Sequence, residues 1–294
     1  MATTNDKIIH YTADELIRVS VAVTRGITQK ARECHNLSPV AAAALGRTMT
    51  GAALLAGDYK SHEGVSLRFS GGGPLGVVHA DCFDSQYLRG YVDNPIVDLP
   101  LKENGKLDVG TAVGRDGQVS VTRFTPQEMT YTSQSDIVSG EIAEDLAYYL
   151  LTSEQVPSTI SLGVLVDRDY SIAASGGFLV QALPGAKDED LARVEKNIAA
   201  IGPITSYLHE HQDAEELASL IYGDMHFHEL YRMPLSWRCT CSKERIENVL
   251  LSLQEADKAE LLNDPQVEMT CHYCNSKYVI SHDELVELFK KKEK

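Results

Sequence analysis

The sequence predicts an α+β protein, in which a mixed α/β N-terminal core domain with antiparallel hairpins is followed by a helical linker and a small C-terminal domain. Three observations lead to this prediction. Residues 1–183 contain short apolar stretches of strand length between Gly, Pro and Asp turns, a pattern typical of hairpin-connected strands. Helical spacing of apolar residues replaces it over residues 184–235. Four paired cysteines mark residues 236–294.

The first predicted elements are a strand and a buried helix. Residues 16–24 alternate with period two, as expected of a half-buried strand. Residues 38–56 are rich in alanine and apolar almost all round. Ser38 suits the N-cap of a helix, Pro39 its first position, and Gly57 its end. We therefore expect a helix inside the core.

Further strands and one more helix complete the core domain. Strands are predicted over residues 65–69, 77–80, 88–92, 109–114, 118–124, 158–167, 170–174 and 177–183, and a helix over residues 141–151. Arg115-Asp116-Gly117 indicates a tight hairpin turn between the fourth and fifth of these strands. The formal G-x-G-x-x-G at residues 71–76 is followed by a strand-like segment, not by a helix. We therefore interpret it as a turn between strands and not as a dinucleotide site.

The linker has thin apolar faces. Its apolar residues at helical spacing are Leu191, Val194, Ile198, Leu217 and Ile221. Acidic stretches and the breakers at residues 202–203 and 223 interrupt them. Such helices depend on packing against neighbouring elements. The histidines at 209, 211, 226 and 228 are spaced i, i+2, so each pair cannot share a helix face. We interpret them as solvated side chains.

The charge of the chain opposes some classes of partner. The net charge of −15 disfavours non-specific binding to nucleic acid or to an anionic membrane. Residues 236–294 contain 9 Lys and Arg against 11 Asp and Glu, a net charge of −2, so the cysteine module is not a basic nucleic-acid finger. No apolar run of signal-peptide length lies in residues 1–15, and no stretch approaches 18 apolar residues. We expect a cytoplasmic protein with reduced thiols.

The C-terminal cysteines form a C-x-C pair, Cys239 and Cys241, and a C-x-x-C pair, Cys271 and Cys274. Four thiolates on two short loops can enclose a tetrahedral Zn²⁺ ion, with sulfur about 2.3 Å from the metal. Close thiols can instead form disulfides and release the metal. A structural zinc site and a redox switch share this pattern, and the spacing leaves both open.

No residue set indicates an enzyme. Cys34 and His35 are adjacent in sequence, and adjacent residues of a helix point in different directions; Cys82 has no marked partner. We interpret Cys34 and Cys82 as ordinary free thiols. The sequence contains no convincing Ser/His/Asp set, no H-E-x-x-H and no Walker loop. A four-cysteine zinc shell would also leave no open position for a catalytic water.

Several segments resemble one family, the redox-regulated 33-kilodalton heat-shock chaperones (holdases) of bacteria. The matching segments are residues 46–48, SGGGPLGVVHAD (70–81), RGYVDNP (89–95), GEIAEDLAYYLLTSEQVPSTISLGVLVD (140–167), SGGFLVQALPGA (175–186), CTCSKER and CHYC. The resemblance extends over essentially the whole chain. Its most specific element is C-x-C, 29 residues and C-x-x-C near the C-terminus, with no departure at the four cysteine positions.

The resemblance implies an ATP-independent chaperone that is inactive while it is reduced and holds one Zn²⁺ per chain. Oxidants would convert Cys239, Cys241, Cys271 and Cys274 to disulfides and release the zinc. The zinc module and the linker would then unfold, bind unfolding client proteins and prevent their aggregation, with a homodimer as the active form. From the close spacing we predict the pairs Cys239–Cys241 and Cys271–Cys274. We place client binding in residues 187–237, on the change in composition.

Two other classes share single features with this chain. A nucleic-acid adaptor could use the zinc knuckle, but the module is not basic. A thiol oxidoreductase could use C-x-x-C, but such enzymes place the motif at a helix N-terminus of a βαβ unit. Here the motif reads as a turn between two short strands.

Overall fold

The structure is a computed structural model that describes residues 5–14, 16–57, 64–125, 129–211 and 213–290. The chain forms two compact units, Met1–Arg238 and Cys239–Lys294. Residues 184–235, which the sequence sets apart as a linker, lie within the first of these units. The mixed architecture, with antiparallel sheets and helices, confirms the predicted α+β class.

A five-stranded antiparallel sheet forms one layer of the first unit. Its strands, in spatial order, are β10 (Phe227–Pro234), β1 (Lys7–Ala13), β2 (Ile17–Val23), β9 (Ile172–Ala182) and β8 (Ser158–Val166). Successive side chains on a strand point to opposite faces. Ile8 and Ala22 accordingly belong to the main core, whereas Ile9 and Val21 belong to a second core on the other side. Both faces of this sheet are therefore apolar.

A six-stranded sheet forms the second layer. Its strands, in order, are β11 (Ser236–Trp237), β5 (Tyr87–Val92), β4 (Val77–Phe83), β3 (Gly64–Ser70), β6 (Gln118–Phe124) and β7 (Met129–Asp136). Only β11 runs parallel to its neighbour. The backbone N–H groups of Ser236 and Arg238 donate to the carbonyls of Gln86 and Leu88 at 2.9 and 3.0 Å. This short strand fixes the chain to the first unit directly before Cys239.

One buried helix packs against strands of both sheets. The helices of this region are α1 (Arg25–His35), α2 (Pro39–Ala56), α3 (Val109–Val113) and α4 (Ile142–Thr152). Helix α2 contacts β3, β4 and β5 on one side and β8 and β9 on the other. Every residue of α2 except Pro39 and Arg47 is buried, which confirms the prediction of a core helix. With a mean hydropathy of 1.2 it has the length and composition of a membrane span, but 89% of it is buried inside the protein.

The segment after β9 covers the outer face of the five-stranded sheet. Its helices α5 (Asp188–Ile201), α6 (Ile204–Glu210) and α7 (Ala214–Tyr222) lie on that face, and its strand β10 extends the sheet as the edge strand beside β1. The predicted helices are present, but the strand was not predicted. Residues 227–234 pair along β1, and Phe227 stacks on Tyr222 with ring centroids 4.7 Å apart. Residues 230–232 are all exposed and interrupt the alternation expected of a strand, so the sequence carries no clear strand signal here.

Two predictions for the core domain were wrong. Residues 109–114 form helix α3 and not a strand, because the Asp108 carboxylate accepts a hydrogen bond from Thr111 N at 3.1 Å and caps the first turn. Residues 172–182 form a single strand, β9, which joins most of the two strands predicted over residues 170–174 and 177–183. The chain does not turn at Gly176 and Gly177, and a Cβ on Gly177 would lie 2.2 Å from the Ser161 carbonyl oxygen of β8. Glycine there permits close approach of two strands. The strands β1 and β7 and helix α1 were not predicted.

The second unit is small. It contains α8 (Lys243–Ser252), α9 (Glu255–Leu261), β12 (Gln266–Thr270), β13 (Lys277–Ser281) and α10 (His282–Lys290). The strands β12 and β13 form an antiparallel hairpin. Among the described residues, the buried cluster of this unit consists of Leu250, Ile280 and Leu285, with eight partly buried apolar residues around it. Apolar burial alone therefore gives this unit little stability.

The glycine-rich turn between β3 and β4 packs against the end of α3, and the contact requires Gly114. Its φ of 85° and ψ of 174° are nearly exclusive to glycine. A Cβ there would lie 2.2 Å from the carbonyl oxygen of Gly71. Gly202 has a similar backbone, with φ 71° and ψ −149°, but a Cβ there would meet nothing within 4 Å.

We predict that Gly202→Ala costs about 1–3 kcal/mol of unfolding free energy for the backbone alone. Gly114→Ala should cost roughly 1–3 kcal/mol more, because it adds overpacking against the turn. Urea unfolding followed by the fluorescence of Trp237, the single tryptophan of the chain, measures both values. Equal losses for the two variants would contradict the tight contact at Gly114.

Candidate functional site

The four C-terminal cysteines lie on two loops of the second unit. Cys239 and Cys241 precede α8, whose N-cap Ser242 accepts a hydrogen bond from Arg245 N at 3.2 Å. Cys271 and Cys274 lie in the turn between β12 and β13. In this turn Asn275 N donates to the Cys271 carbonyl at 2.8 Å, and Asn275 has a left-handed φ of 54°. The predicted turn between two short strands is therefore confirmed.

The two loops bring all four sulfur atoms together. Cys239 Sγ lies 3.6 Å from Cys271 Sγ, and Cys241 Sγ lies 3.4 Å from Cys274 Sγ. All four ligand atoms lie within 4.8 Å of one another. A tetrahedral ion with sulfur ligands at about 2.3 Å requires sulfur–sulfur distances of roughly 3.7 Å. The described sulfur positions therefore fit a four-coordinate metal ion, and thiolates suit a soft or borderline ion.

Side chains of the same unit surround the sulfurs. The Tyr278 hydroxyl donates to Cys241 Sγ at 3.1 Å, and Ser276 Oγ lies 3.2 Å from Cys274 Sγ. Arg245 donates to Thr240 Oγ1, between the two residues of the C-x-C pair, at 2.7 Å. These contacts hold the loops in place around the sulfur cluster. No pattern in the sequence indicates Tyr278 or Ser276 as neighbours of the sulfurs.

Burial disfavours the ionised, thiolate form of these cysteines. It raises the pKa of Cys239 and of Cys271. Burial acts in the same direction on Cys274, but hydrogen bonds from the Ser276 hydroxyl and backbone amide outweigh it and bring that pKa to about 7. Four adjacent thiolates would also repel one another. A cation between them removes both penalties, and a coordinated thiol is deprotonated outright.

The other cysteines and the linker histidines lie elsewhere. Cys34 is half-buried on α1, and Cys82 is buried in the main core, where burial raises its pKa. The four histidines at 209, 211, 226 and 228 are exposed, as predicted. Within the described ranges, the four-cysteine group is the one cluster of three or more Cys, His, Asp or Glu residues that could hold a metal ion.

A second candidate functional surface lies beneath the linker helices. Leu217 and Ile221 of α7 are fully buried in the second core, against the outer face of the five-stranded sheet. The Tyr222 hydroxyl donates to the Ile17 carbonyl of β2 at 3.0 Å. Arg232 of β10 donates to Glu215 of α7 at 2.8 Å. Helices α6 and α7 thus cover a continuous apolar surface of the five-stranded sheet.

Helix α5 packs less closely than α7. Val194 is its single buried residue, while Leu191 and Ile198 are partly buried. A cavity of about 380 Å³ lies among α4, α5 and the ends of β8 and β9. Leu151 of α4, at this cavity, is 55% exposed. The apolar face of α5 therefore has few close contacts with the core.

An α+β core followed by a small unit with four clustered cysteines defines a protein with a metal-binding or redox module attached to a larger core. A family model described as Hsp33 protein matches residues 6–281. A 33 kDa chaperonin of Bacillus pumilus (strain SAFR-032) is 40% identical over 276 residues, or 94% of each chain. One from Symbiobacterium thermophilum is 42% identical over 274 residues, or 92% of each chain. The crystal structure of the 33 kDa chaperonin from Thermotoga maritima superposes with a TM-score of 0.91, at 36% identity and 99% coverage of both chains.

The chain belongs to the Hsp33 family of 33 kDa chaperonins. This confirms the resemblance seen in the sequence. The family is one of heat-shock chaperones and is not a known enzyme class. A chaperone of this kind binds unfolded client proteins, and the four-cysteine cluster is compatible with redox regulation.

We predict that the reduced, metal-free protein binds one Co²⁺ per chain and develops the intense absorption of a tetrahedral thiolate site, because the sulfurs already lie at tetrahedral spacing. Cys274→Ser should weaken this absorption and shift it. Cys34→Ser, which removes a thiol of the first unit, should leave it unchanged. A weak octahedral spectrum, or one insensitive to Cys274→Ser, would contradict the assignment of the cluster as a metal site.

Proposed function

We propose that this protein is a redox-regulated, ATP-independent holdase. In the reduced state Cys239, Cys241, Cys271 and Cys274 bind one Zn²⁺ per chain. Their oxidation to disulfides releases the metal, unfolds the second unit and the linker, and allows binding of unfolding proteins under oxidative and heat stress. The observation that carries the proposal is the clustering of four sulfurs within 4.8 Å in a unit with three fully buried apolar residues.

Zinc is the proposed ion because four thiolates form its usual closed structural site. Such a site has no open position for water or substrate, so its role is structural and not catalytic. Structural zinc contributes apparent binding energies of about 10–16 kcal/mol in small domains. The second unit, with its small apolar cluster, should therefore unfold when the metal leaves.

The proposed oxidation is a two-electron step for each disulfide. A thiolate sulfur attacks a peroxide oxygen, the O–O bond breaks, and hydroxide leaves, which gives a sulfenic acid. A second thiolate then attacks this sulfur, the S–S bond forms, and the oxygen leaves as hydroxide. Peroxide is the oxidant and is reduced to water after protonation.

We propose the pairs Cys239–Cys241 and Cys271–Cys274. The recorded short sulfur contacts join different loops, at separations of 32 and 33 residues. Once the unit unfolds, thiols two or three positions apart remain close, whereas pairing between the loops has to close a much longer segment. Peptide mapping of the oxidised protein decides the pairing, and mainly cross-loop bridges would refute it.

The proposed client-binding surface lies in residues 187–237 and the sheet face beneath them. Helices α6 and α7 cover side chains such as Val19, Val21 and Phe178. Loss of this cover would expose apolar surface, which unfolding proteins bind. Crosslinks from a bound client that avoid residues 187–237 would contradict this placement.

The other proposed partners and the location follow from charge and chemistry. The net charge of −15 would keep client complexes in solution and opposes binding to nucleic acid and to membranes. We propose that the oxidised form is a homodimer and that the protein works in the cytoplasm, where thiols are reduced until stress occurs.

The first experiment is light scattering of a heat-unfolding client without ATP. We expect no suppression of aggregation by zinc-loaded, reduced protein. Peroxide at mildly raised temperature should produce suppression in step with zinc release, which is measured in the same samples. Zinc release without any effect on aggregation would mean that the site is purely structural and would refute the holdase proposal.

A second prediction concerns the cover formed by α7. Leu217 is fully buried against the sheet, whereas Leu220 on the same helix is 44% exposed. Leu217→Ala should destabilise the cover by about 2–5 kcal/mol. We therefore expect partial suppression of client aggregation by the reduced, zinc-loaded variant, together with faster proteolysis of residues 187–237. Leu220→Ala is the matched control and should leave the reduced protein inactive.

If Leu217→Ala lowers stability and loosens the linker, yet the reduced variant remains inactive, uncovering this face is not what activates the protein. Zinc content, measured for each variant, shows that the second unit is still loaded.

A further inference from the structure

Two hydroxyl groups contact the sulfur cluster, and each contacts a different loop. The Tyr278 hydroxyl donates to Cys241 Sγ of the C-x-C loop at 3.1 Å. Cys274 Sγ of the C-x-x-C loop donates to the Ser276 hydroxyl oxygen at 3.2 Å, and the same hydroxyl can donate once this sulfur is a thiolate. These two sulfurs are also neighbours, 3.4 Å apart. The proposed function assigns no role to either hydroxyl.

The hairpin positions both hydroxyls. Tyr278 lies on β13 opposite Met269 of β12, and its side chain is half-buried. Ser276 directly precedes β13, and its carbonyl accepts a hydrogen bond from Cys271 N at 2.9 Å. The hairpin register therefore fixes the distance from each hydroxyl to its sulfur.

A hydroxyl donor changes a metal-bound thiolate in two ways. It stabilises the negative charge that four thiolates place around one divalent ion, and such neighbours of a metal site typically change metal affinity by about 10–100-fold. It also engages a sulfur lone pair, which is then less available to attack an oxidant. Both effects make the sulfur more resistant to oxidation.

We propose that Tyr278 is a positioning residue that sets metal retention and peroxide sensitivity at Cys241, and that Ser276 does the same at Cys274. Each hydroxyl restrains one loop, so the cysteines of the two loops are oxidised at different peroxide concentrations. This inference rests on the proposed zinc and redox function and adds the residues that tune it. The chemical step is the one given above: the thiolate attacks peroxide, hydroxide leaves, and a sulfenic acid results.

The test uses Tyr278→Phe and Ser276→Ala in the full chain, both of which remove only the hydroxyl. Thr270→Val is the control, because it removes an exposed hydroxyl from the same hairpin and retains the β-branch. Zinc affinity is measured by competition with a chromophoric chelator. Sulfenic acid at each cysteine is trapped with dimedone during peroxide treatment and quantified by mass spectrometry.

We expect zinc affinity to fall by about tenfold in Tyr278→Phe, and trapping to increase several-fold at Cys241 relative to Cys274. In Ser276→Ala the increase in trapped sulfenic acid should occur at Cys274 instead of Cys241. Thr270→Val should match the parent protein in both measurements. Equal increases at all four cysteines would indicate general loosening of the unit and would overturn the proposal, as would unchanged affinity and trapping.

The outcome is separable from that of the proposed function. If the parent protein binds no zinc or forms no sulfenic acid at these cysteines, the redox function itself fails. A second case is that the parent protein releases zinc and forms sulfenic acid as proposed. If the two variants then show the same zinc affinity and the same distribution of sulfenic acid, only the role of the hydroxyls fails.

Discussion

The five-stranded sheet is apolar on both faces, and the remaining architecture depends on that constraint. One face is covered by α2, which is part of the main core. The other carries Ile9, Val19 and Phe178, and a sheet with such a face is stable in water only if another element covers it. Helices α6 and α7 provide this cover, and strand β10 continues the sheet at its edge. The segment that the sequence sets apart as a linker therefore completes the first unit.

The two covers differ in how they are held. Helix α2 is buried almost all round and contacts both sheets, so its removal would abolish the core. The outer cover is attached by narrow apolar stripes and a few polar bonds such as that from Tyr222 to Ile17. The chain that follows it is held in the sheet by the pairing of β10 with β1. Helix α5 contributes one buried residue. Stability within a protein is uneven, and regions with few buried contacts open first.

Much of this organisation can be predicted from the sequence where local chemistry and tertiary context agree. Ser38, Pro39 and Gly57 define α2, and the four cysteines with their flanking strands define the metal-capable turn. The prediction fails where context overrides the local pattern. Residues 109–113 have strand-like composition, yet the Asp108 side chain caps a helix there. Gly177 lies inside a strand and not in a turn, because it allows β8 and β9 to approach closely. Tyr278 and Ser276 could not be predicted, because their distances to sulfur depend on the hairpin register and on how the two loops meet.

The short strand β11 determines what kind of opening the outer cover can undergo. Residues 184–235 are bounded by β9 at one end and by β11 at the other, and both strands belong to sheets of the first unit. If the cover leaves while these strands stay paired, the segment becomes a closed loop whose two ends are still anchored. Its return is then an intramolecular event that has to overcome only loop-closure entropy, which grows slowly with length. Closure after the proposed opening would then require no search for a detached domain.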